Sequence, residues 1–266
     1  MQIRVGTSGW MYDHWRGRFY PQKLPKTRWF QHYLQVFDSV ELNGTFYGTP
    51  KPETVQRWHD MTPPDFVFAV KGTRFLTHNK KLHDPEQSLE RHSEMIRPLA
   101  EKLGPVLWQF SAKWEVDLGR LRHFLDLRPP WQRWCFEFRH FSQFNESVYE
   151  ALREHNCALV WADTPDYPFA AEVTADFLYA RLHGHESLYV SKYSQDQLAW
   201  WRDQLLGHAE GTRDIFAYFD NDAHGHAPHD AWRLRELLRG AQTVPEEIPL
   251  ADLGAEPAQL TLAGHD

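Results

Sequence analysis

Ser39-Val40-Glu41-Leu42-Asn43-Gly44-Thr45-Phe46-Tyr47-Gly48-Thr49-Pro50 alternates apolar and polar residues before it breaks at a glycine and an aromatic pair. Strand side chains point to opposite faces with period two, so Glu41 and Asn43 are expected on one face and Val40 and Leu42 on the other. A carboxylate at the end of a buried strand is costly to desolvate and requires a partner.

The same pattern recurs outward from this stretch. Strands are expected over 3–7, 66–71, 106–110, 134–138, 157–162, 177–182 and 214–219. Helices are expected over 27–35, 52–61, 85–102, 117–125, 145–155, 194–206 and 227–239. Asn145 and Ser194 read as N-caps, and Gly104-Pro105 reads as a helix stop. Strand and helix in alternation, about eight times over, predict parallel βαβ units closed as a single-domain (β/α)8 TIM-type barrel over residues 1–240. After Gly240 the composition turns to proline, alanine and acidic residues, and 241–266 reads as a loosely packed C-terminal tail.

Composition narrows the function. The chain has 266 residues and a formal net charge of −7, which weighs against coating nucleic acid by electrostatics alone. No apolar run approaches a membrane span and no signal peptide is visible, so a cytoplasmic protein is expected. Cys135 and Cys157 form no CxxC or zinc spacing and read as core residues of a reducing compartment. His183-Gly184-His185-Glu186 and His224-Gly225-His226 make no clean ligand set, so no metal is expected. No P-loop, GxGxxG fingerprint or GxSxG elbow is present, and no cofactor is expected.

Polar residues end nearly every strand: Thr7 or Ser8, Glu41 with Asn43, Lys71, Gln109, Glu137 with Arg139, Asp163, Arg181 with His183, and Asn221. Pairs two residues apart share a face. The alternating Phe136, Phe138, Ala180 and Leu182 suit packing against helices. The polar face is then expected in the C-terminal mouth, where TIM barrels keep their catalytic groups. The alternative is a balanced network, with Glu41, Glu137 and Asp163 paired to Lys71, Arg139 and Arg181. Such pairs stabilise poorly compared with apolar packing, which makes a whole ring of them an odd structural choice.

With Gly6-Thr7-Ser8-Gly9-Trp10 before the opening stretch and Phe138-Arg139-His140 after it, the chain resembles the YecE-like family, domain of unknown function seventy-two, over about residues 1–240. The resemblance implies a TIM-type barrel and brings no established activity. Positions matching Glu41, Asn43, Lys71, Gln109, Glu137, Arg139, Arg181, His183 and Asn221 belong to its recurring motifs. Ser111-Ala112 replaces a proline-rich turn, and Asp220 stands beside Asn221 where a second asparagine is common.

The site residues expected are therefore Glu41, Lys71, Glu137 and His183 for catalysis. Trp10, Asn43, Phe46, Tyr47, Gln109, Arg139, Arg181 and Asn221 are expected to bind substrate, with Tyr12 stacking beside them. The reading is an acid–base enzyme, a hydrolase or isomerase, for a small anionic or sugar-like substrate. Lys71 is a candidate Schiff-base amine, though expected to stay protonated beside a glutamate. The alternatives are a non-catalytic nucleic-acid or nucleotide binder and a metal-dependent phosphodiesterase resembling endonuclease barrels. The oligomeric state is not legible in the sequence.

Overall fold

The computed structural model describes residues 1–250. Its strands are β1 (Gln2–Thr7), β2 (Ser39–Leu42), β3 (Val67–Lys71), β4 (Leu103–Gln109), β5 (Trp134–Glu137), β6 (Ala158–Asp163), β7 (Phe177–Leu182) and β8 (Asp214–Phe219). Each pairs in parallel with its sequence neighbours, and β1 pairs with β8. The last seam, β1 to β2, is joined by a bridge between Ser8 and Glu41 and by Gly9 N donating to Glu41 O at 2.8 Å. Gly6 is needed at that seam, because a Cβ there would lie 2.3 Å from Ser39 O.

Around the barrel run α1 (Trp29–Val36), α2 (Gly44–Tyr47), α3 (Pro52–Asp60), α4 (Glu86–Ile96), α5 (Leu118–Asp126), α6 (Glu146–Glu154), α7 (Gln195–Gly207) and α8 (Ala227–Leu238). Asn145 caps α6 by accepting from Val148 N, and Ser194 caps α7 in a reciprocal capping box with Gln197. No helix separates β6 from β7. The connection, residues 164–176, carries Pro165 and Pro168, and Thr174 ties it down by donating to Cys157 O at 2.7 Å.

The period-two alternation sorts the core into two layers. Ala69, Leu107, Cys135, Val160, Tyr179 and Tyr218 fill the barrel interior. Val40, Val70, Trp108, Phe136, Phe138, Ala180 and Leu182 face the helices. Burying each such large side chain is worth about 1.5–3 kcal/mol, so a one-residue slip of any strand is strongly disfavoured. At the N-terminal end of the barrel Arg133 pairs with Asp214 at 2.6 Å, its guanidinium 4.3 Å over the Phe177 ring.

Three local expectations change. Gly104-Pro105 does not stop a helix but opens β4. The helix ends at Ile96 and continues as a 3-10 turn over Arg97–Lys102, pinned by Lys102 Nζ donating to Thr62 O at 2.7 Å. Asn43 is not the fourth residue of an alternating strand. It adopts helical dihedrals and leads into α2, so the pleat no longer directs it beside Glu41. The region expected to be a loose tail includes Ile248, which is 6% exposed within the core, with Val244 and Leu250 packed beside it. Residues 251–266 of that region lie outside the described residues.

Candidate active site

The inward parity of successive strands brings Ser8, Glu41, Gln109, Glu137, Tyr179, Arg181 and His183 into one hydrogen-bonded network. Arg181, on β7, is its centre and is fully buried. Its Nε and Nη2 donate to Glu41 Oε2 and Oε1 at 3.0 and 2.7 Å, a bidentate pair. Its Nη1 donates to Glu137 Oε2 at 2.6 Å and meets His183 Nε2 at 3.2 Å. Nη2 also lies 3.2 Å from Asp220 Oδ2. Every donor edge of the guanidinium is occupied, so Arg181 organises the network and has nothing left for a substrate anion.

Glu41 is equally saturated. Ser8 Oγ donates to it at 2.6 Å and Tyr179 OH at 2.7 Å. Glu137 accepts from Gln109 Nε2 at 2.9 Å and from Arg139 Nε and Nη2 at 2.8 and 2.6 Å. Burial pushes the Glu137 carboxyl up, but Arg139 and Arg181 outweigh it and hold the group well below the usual carboxylate range. Both glutamates, expected as proton carriers, are bound into a buried network around Arg181. Of the sequence-level pairings, Glu41–Arg181 and Glu137–Arg139 form. Lys71 and Asp163 stand outside them.

Lys71 ends β3 at the rim and is 7% exposed. Among the described residues its amine has no hydrogen-bond or ion-pair partner, so the expected glutamate pairing is absent. Nζ lies 4.5 Å from the centroid of Phe46. Burial and then the charge of Arg181 push the amine down to about 8. Arg139 also reaches the surface. Its guanidinium stacks 4.6 Å from the Tyr167 ring, and its Nη1 is unpartnered among the described residues. His78, in a π-helical turn after β3 (Phe75–Asn79), packs 5.2 Å from Phe46. Burial pushes its imidazole down, and Arg139, Arg74 and Lys71 add to the effect. One side of the mouth is therefore cationic.

On the opposite side His183 Nδ1 is 3.0 Å from Asp220 Oδ2. Its Nε2 lies 3.2 Å from Arg181 Nη1 and 3.5 Å from Glu137 Oε1, so the ring is held between Asp220, Arg181 and Glu137. Burial pushes the Asp220 carboxyl up, but the His183 hydrogen bond and Arg181 hold it below its ordinary value. Asp222 behaves oppositely: burial and the charge of Asp220 push it up to about 6. The loop that follows β7 folds over His183. Gly184 at φ +107° turns it, and Tyr189 takes φ 64° with its ring edge-on to His183 at 5.5 Å.

Several expected binding residues sit elsewhere. Trp10 stacks on Phe30 of α1 at 4.5 Å and meets Trp58 of α3 edge-on, in the helical layer. Tyr12 OH donates to Ser8 O. Tyr47 is 74% exposed, its ring 5.0 Å from Phe46. Asn221 is buried, but its amide donates to Ser191 O and to Asp230 Oδ2, tying β8 to the β7–α7 loop and α8. Asp163 accepts from Trp201 Nε1 of α7 at 2.7 Å and pairs with His185. Asp220, Asp222, Tyr179 and Ser8 are the site groups that sequence reasoning passed over or left unassigned. Asp220, Tyr179 and Ser8 carry the inward parity of their strands, and that signal was available. Among the described residues no group of three or more His, Cys, Asp or Glu side chains converges as metal ligands, and no helix is long and apolar enough to cross a membrane.

The network makes a stability prediction. Glu137→Gln points an amide donor at Arg139, Arg181 or Gln109, and is expected to cost about 3–5 kcal/mol at pH 7. The folded-state pKa of Glu137 lies below its unfolded value. Its stabilisation is therefore complete above about pH 4.3 and lost as pH falls through the folded value. Melts of wild type and variant should converge on acidification below pH 4. Superimposable melts at pH 7 would show that these pairs add nothing to the fold.

The comparisons with known proteins agree with this architecture. The family described as "Protein of unknown function DUF72" matches residues 4–252. The chain is 24% identical over 277 residues to the UPF0759 protein YunF of Bacillus subtilis, spanning 89% of this chain and 94% of that protein. It is 31% identical to the UPF0759 protein YecE of Escherichia coli over 139 residues, 52% of this chain and 48% of the relative. The crystal structure of a DUF72 family protein from Thermotoga maritima superposes with a TM-score of 0.81 at 29% identity, covering 90% of this chain and 100% of that one. A DUF72 family protein from Enterococcus faecalis, 19% identical over 93% of this chain and 100% of that one, superposes with a TM-score of 0.77, a likeness of fold alone.

Proposed function

Because the chain belongs to the DUF72 family, whose description names no activity, we propose its chemistry from the barrel mouth: an acid–base enzyme, hydrolase or isomerase, acting on a small anionic substrate. The observation that carries this reading is the pairing state of the cations. Arg181 is consumed by Glu41 and Glu137, whereas Lys71 and the Nη1 edge of Arg139 are not. An amine and a guanidinium edge without partners among the described residues, at the rim of a buried ionic floor, suit a carboxylate or phosphate.

Burial pushes Lys71 down to about 8, and burial with the charge of Asp220 pushes Asp222, 3.7 Å from His14, up to about 6. Groups tuned in this way are suited to exchange protons at physiological pH. Glu41 and Glu137 are tied to Arg181, and Gln109 and Arg139 orient Glu137. His183, anchored on Asp220, completes the floor.

The test is a thermal-shift comparison using inorganic phosphate and small mono- and dicarboxylates. A ligand bound only by the folded chain raises its melting temperature. Arg139→Ala keeps the Arg181–Glu137 pair and is expected to fold. The wild type should be stabilised by phosphate, and Arg139→Ala should need at least about tenfold more for the same shift, the value of roughly one charge-assisted hydrogen bond. Equal responses of the two proteins, or stabilisation by neutral sugars alone, would remove the anionic substrate from the proposal.

A further inference from the structure

We propose that Lys71 is a covalent nucleophile, forming an imine with a small anionic aldehyde, ketone or oxo acid whose charged group sits on Arg139. The inference rests on the acid–base reading above and names the substrate class for that same site.

The chain contains its own control. Lys102 is also buried, at 4% exposed, and it is used as structure. Its amine donates to His59 O at 2.6 Å, Thr62 O at 2.7 Å and Thr62 Oγ1 at 3.1 Å, three bonds for three donors. An ammonium withdrawn from water normally acquires such partners, because leaving it bare is costly. Lys71, 7% exposed at the rim, has none of them among the described residues. Glu41 and Glu137 lie in the same mouth, yet both are taken by Arg181. The carboxylates' hydrogen bonds go to Arg181, and Glu41, Glu137 and Asp220 act on the amine only through their charge, which offsets part of the effect of burial and of Arg181. Nζ lies over the face of Phe46, which positions the amine without accepting a charge-assisted hydrogen bond.

Burial beside another cation is the recognised way to make a lysine nucleophilic near neutral pH. With the amine near 8, an appreciable fraction is unprotonated at pH 7.5. The nitrogen lone pair attacks the carbonyl carbon and a C–N bond forms. The carbonyl oxygen then leaves as water, carrying the two hydrogens that the amine gives up. No oxidant or reductant is consumed. Protonation of the imine nitrogen draws electrons from the adjacent carbon, which is what isomerisation through an enamine requires.

The full-length protein is incubated at pH 8 with glyoxylate or dihydroxyacetone phosphate, in the presence of sodium cyanoborohydride, which reduces an imine to a stable amine. Intact mass and peptide mapping locate the adduct. The expected result is a single dominant adduct on Lys71 that is absent in Lys71→Arg and slowed at least about tenfold in Arg139→Ala, with phosphate competing. Mapping on wild type makes the result independent of whether Lys71→Arg folds. Labelling spread over surface lysines, or no adduct on Lys71 with either probe, overturns the covalent step. If the Arg139-dependent phosphate stabilisation persists in that case, the acid–base reading stands and only the imine fails. If the stabilisation is lost too, both fail.

Discussion

Arg181→Met is expected to lower the melting temperature at pH 7 by roughly 10 °C or more. The substitution keeps the length of the side chain but leaves Glu41 and Glu137 facing each other, both fully buried. Breaking one buried pair costs about 3–5 kcal/mol, and two are broken here. For a domain of this size each kcal/mol moves the midpoint by about 2–4 °C. A triple variant separates cause from consequence. Replacing a complete buried ion network with apolar residues is often neutral or stabilising. Arg181→Met with Glu41→Leu and Glu137→Leu should therefore recover part of the lost stability, Arg139 and Asp220 being left without their partners, while the phosphate response at Arg139 is weakened because Glu137 no longer holds that guanidinium. Recovery of stability with an intact phosphate response would mean that the network does not organise the anion site. A triple variant no more stable than the single one would make the network a stabilising device first.

The same parity argument measures how much was legible in the sequence. Strands of period two whose odd and even residues differ in polarity fix which side chains enter a barrel, and Glu41, Gln109, Glu137, Arg181 and His183 follow directly. Applied to β8, the rule selects Asp220, in step with Phe216 and Tyr218, and rejects Asn221, in step with Phe219. Asn221 ends its strand and matches the family motif, but its amide turns to Asp230 and Ser191 instead. Asp163 fails in the same way, being out of step with Val160 by an odd number and so placed against Trp201 of α7.

What periodicity could not supply was competition. Two glutamates and three cations sit at neighbouring strand ends, and composition cannot say which guanidinium takes which carboxylate. Bidentate geometry decides it: Arg181 lies between Glu41 and Glu137 and reaches both, which leaves Lys71 alone. Loop residues were illegible for another reason. The short helix α2 and the π-helical turn at Phe75–Asn79 are too brief to carry a periodic signal, and Trp10 is drawn into the helical layer by Phe30 and Trp58 rather than by any local pattern.

Lys71→Met is expected to do the opposite of Arg181→Met and raise stability at neutral pH. The folded chain lowers the Lys71 amine from an ordinary 10.5 to about 8, so below pH 8 burial of the charged form costs about 3 kcal/mol. The unfolded chain holds that proton more tightly. As pH rises from 8 to 10.5 the folded state sheds the proton first, and the wild type regains the difference. Methionine carries no charge, fills a similar volume, and can place its sulfur against Phe46. At pH 7 the variant should melt roughly 6–12 °C above wild type, with the gap closing towards pH 10.5. It should also lose the cyanoborohydride-trapped adduct completely. Greater stability together with lost chemistry is the signature of a group kept for reaction rather than for folding. A variant that melts below wild type by the same margin at every pH would instead identify Lys71 as a structural residue, and the unpaired amine could no longer support a catalytic role.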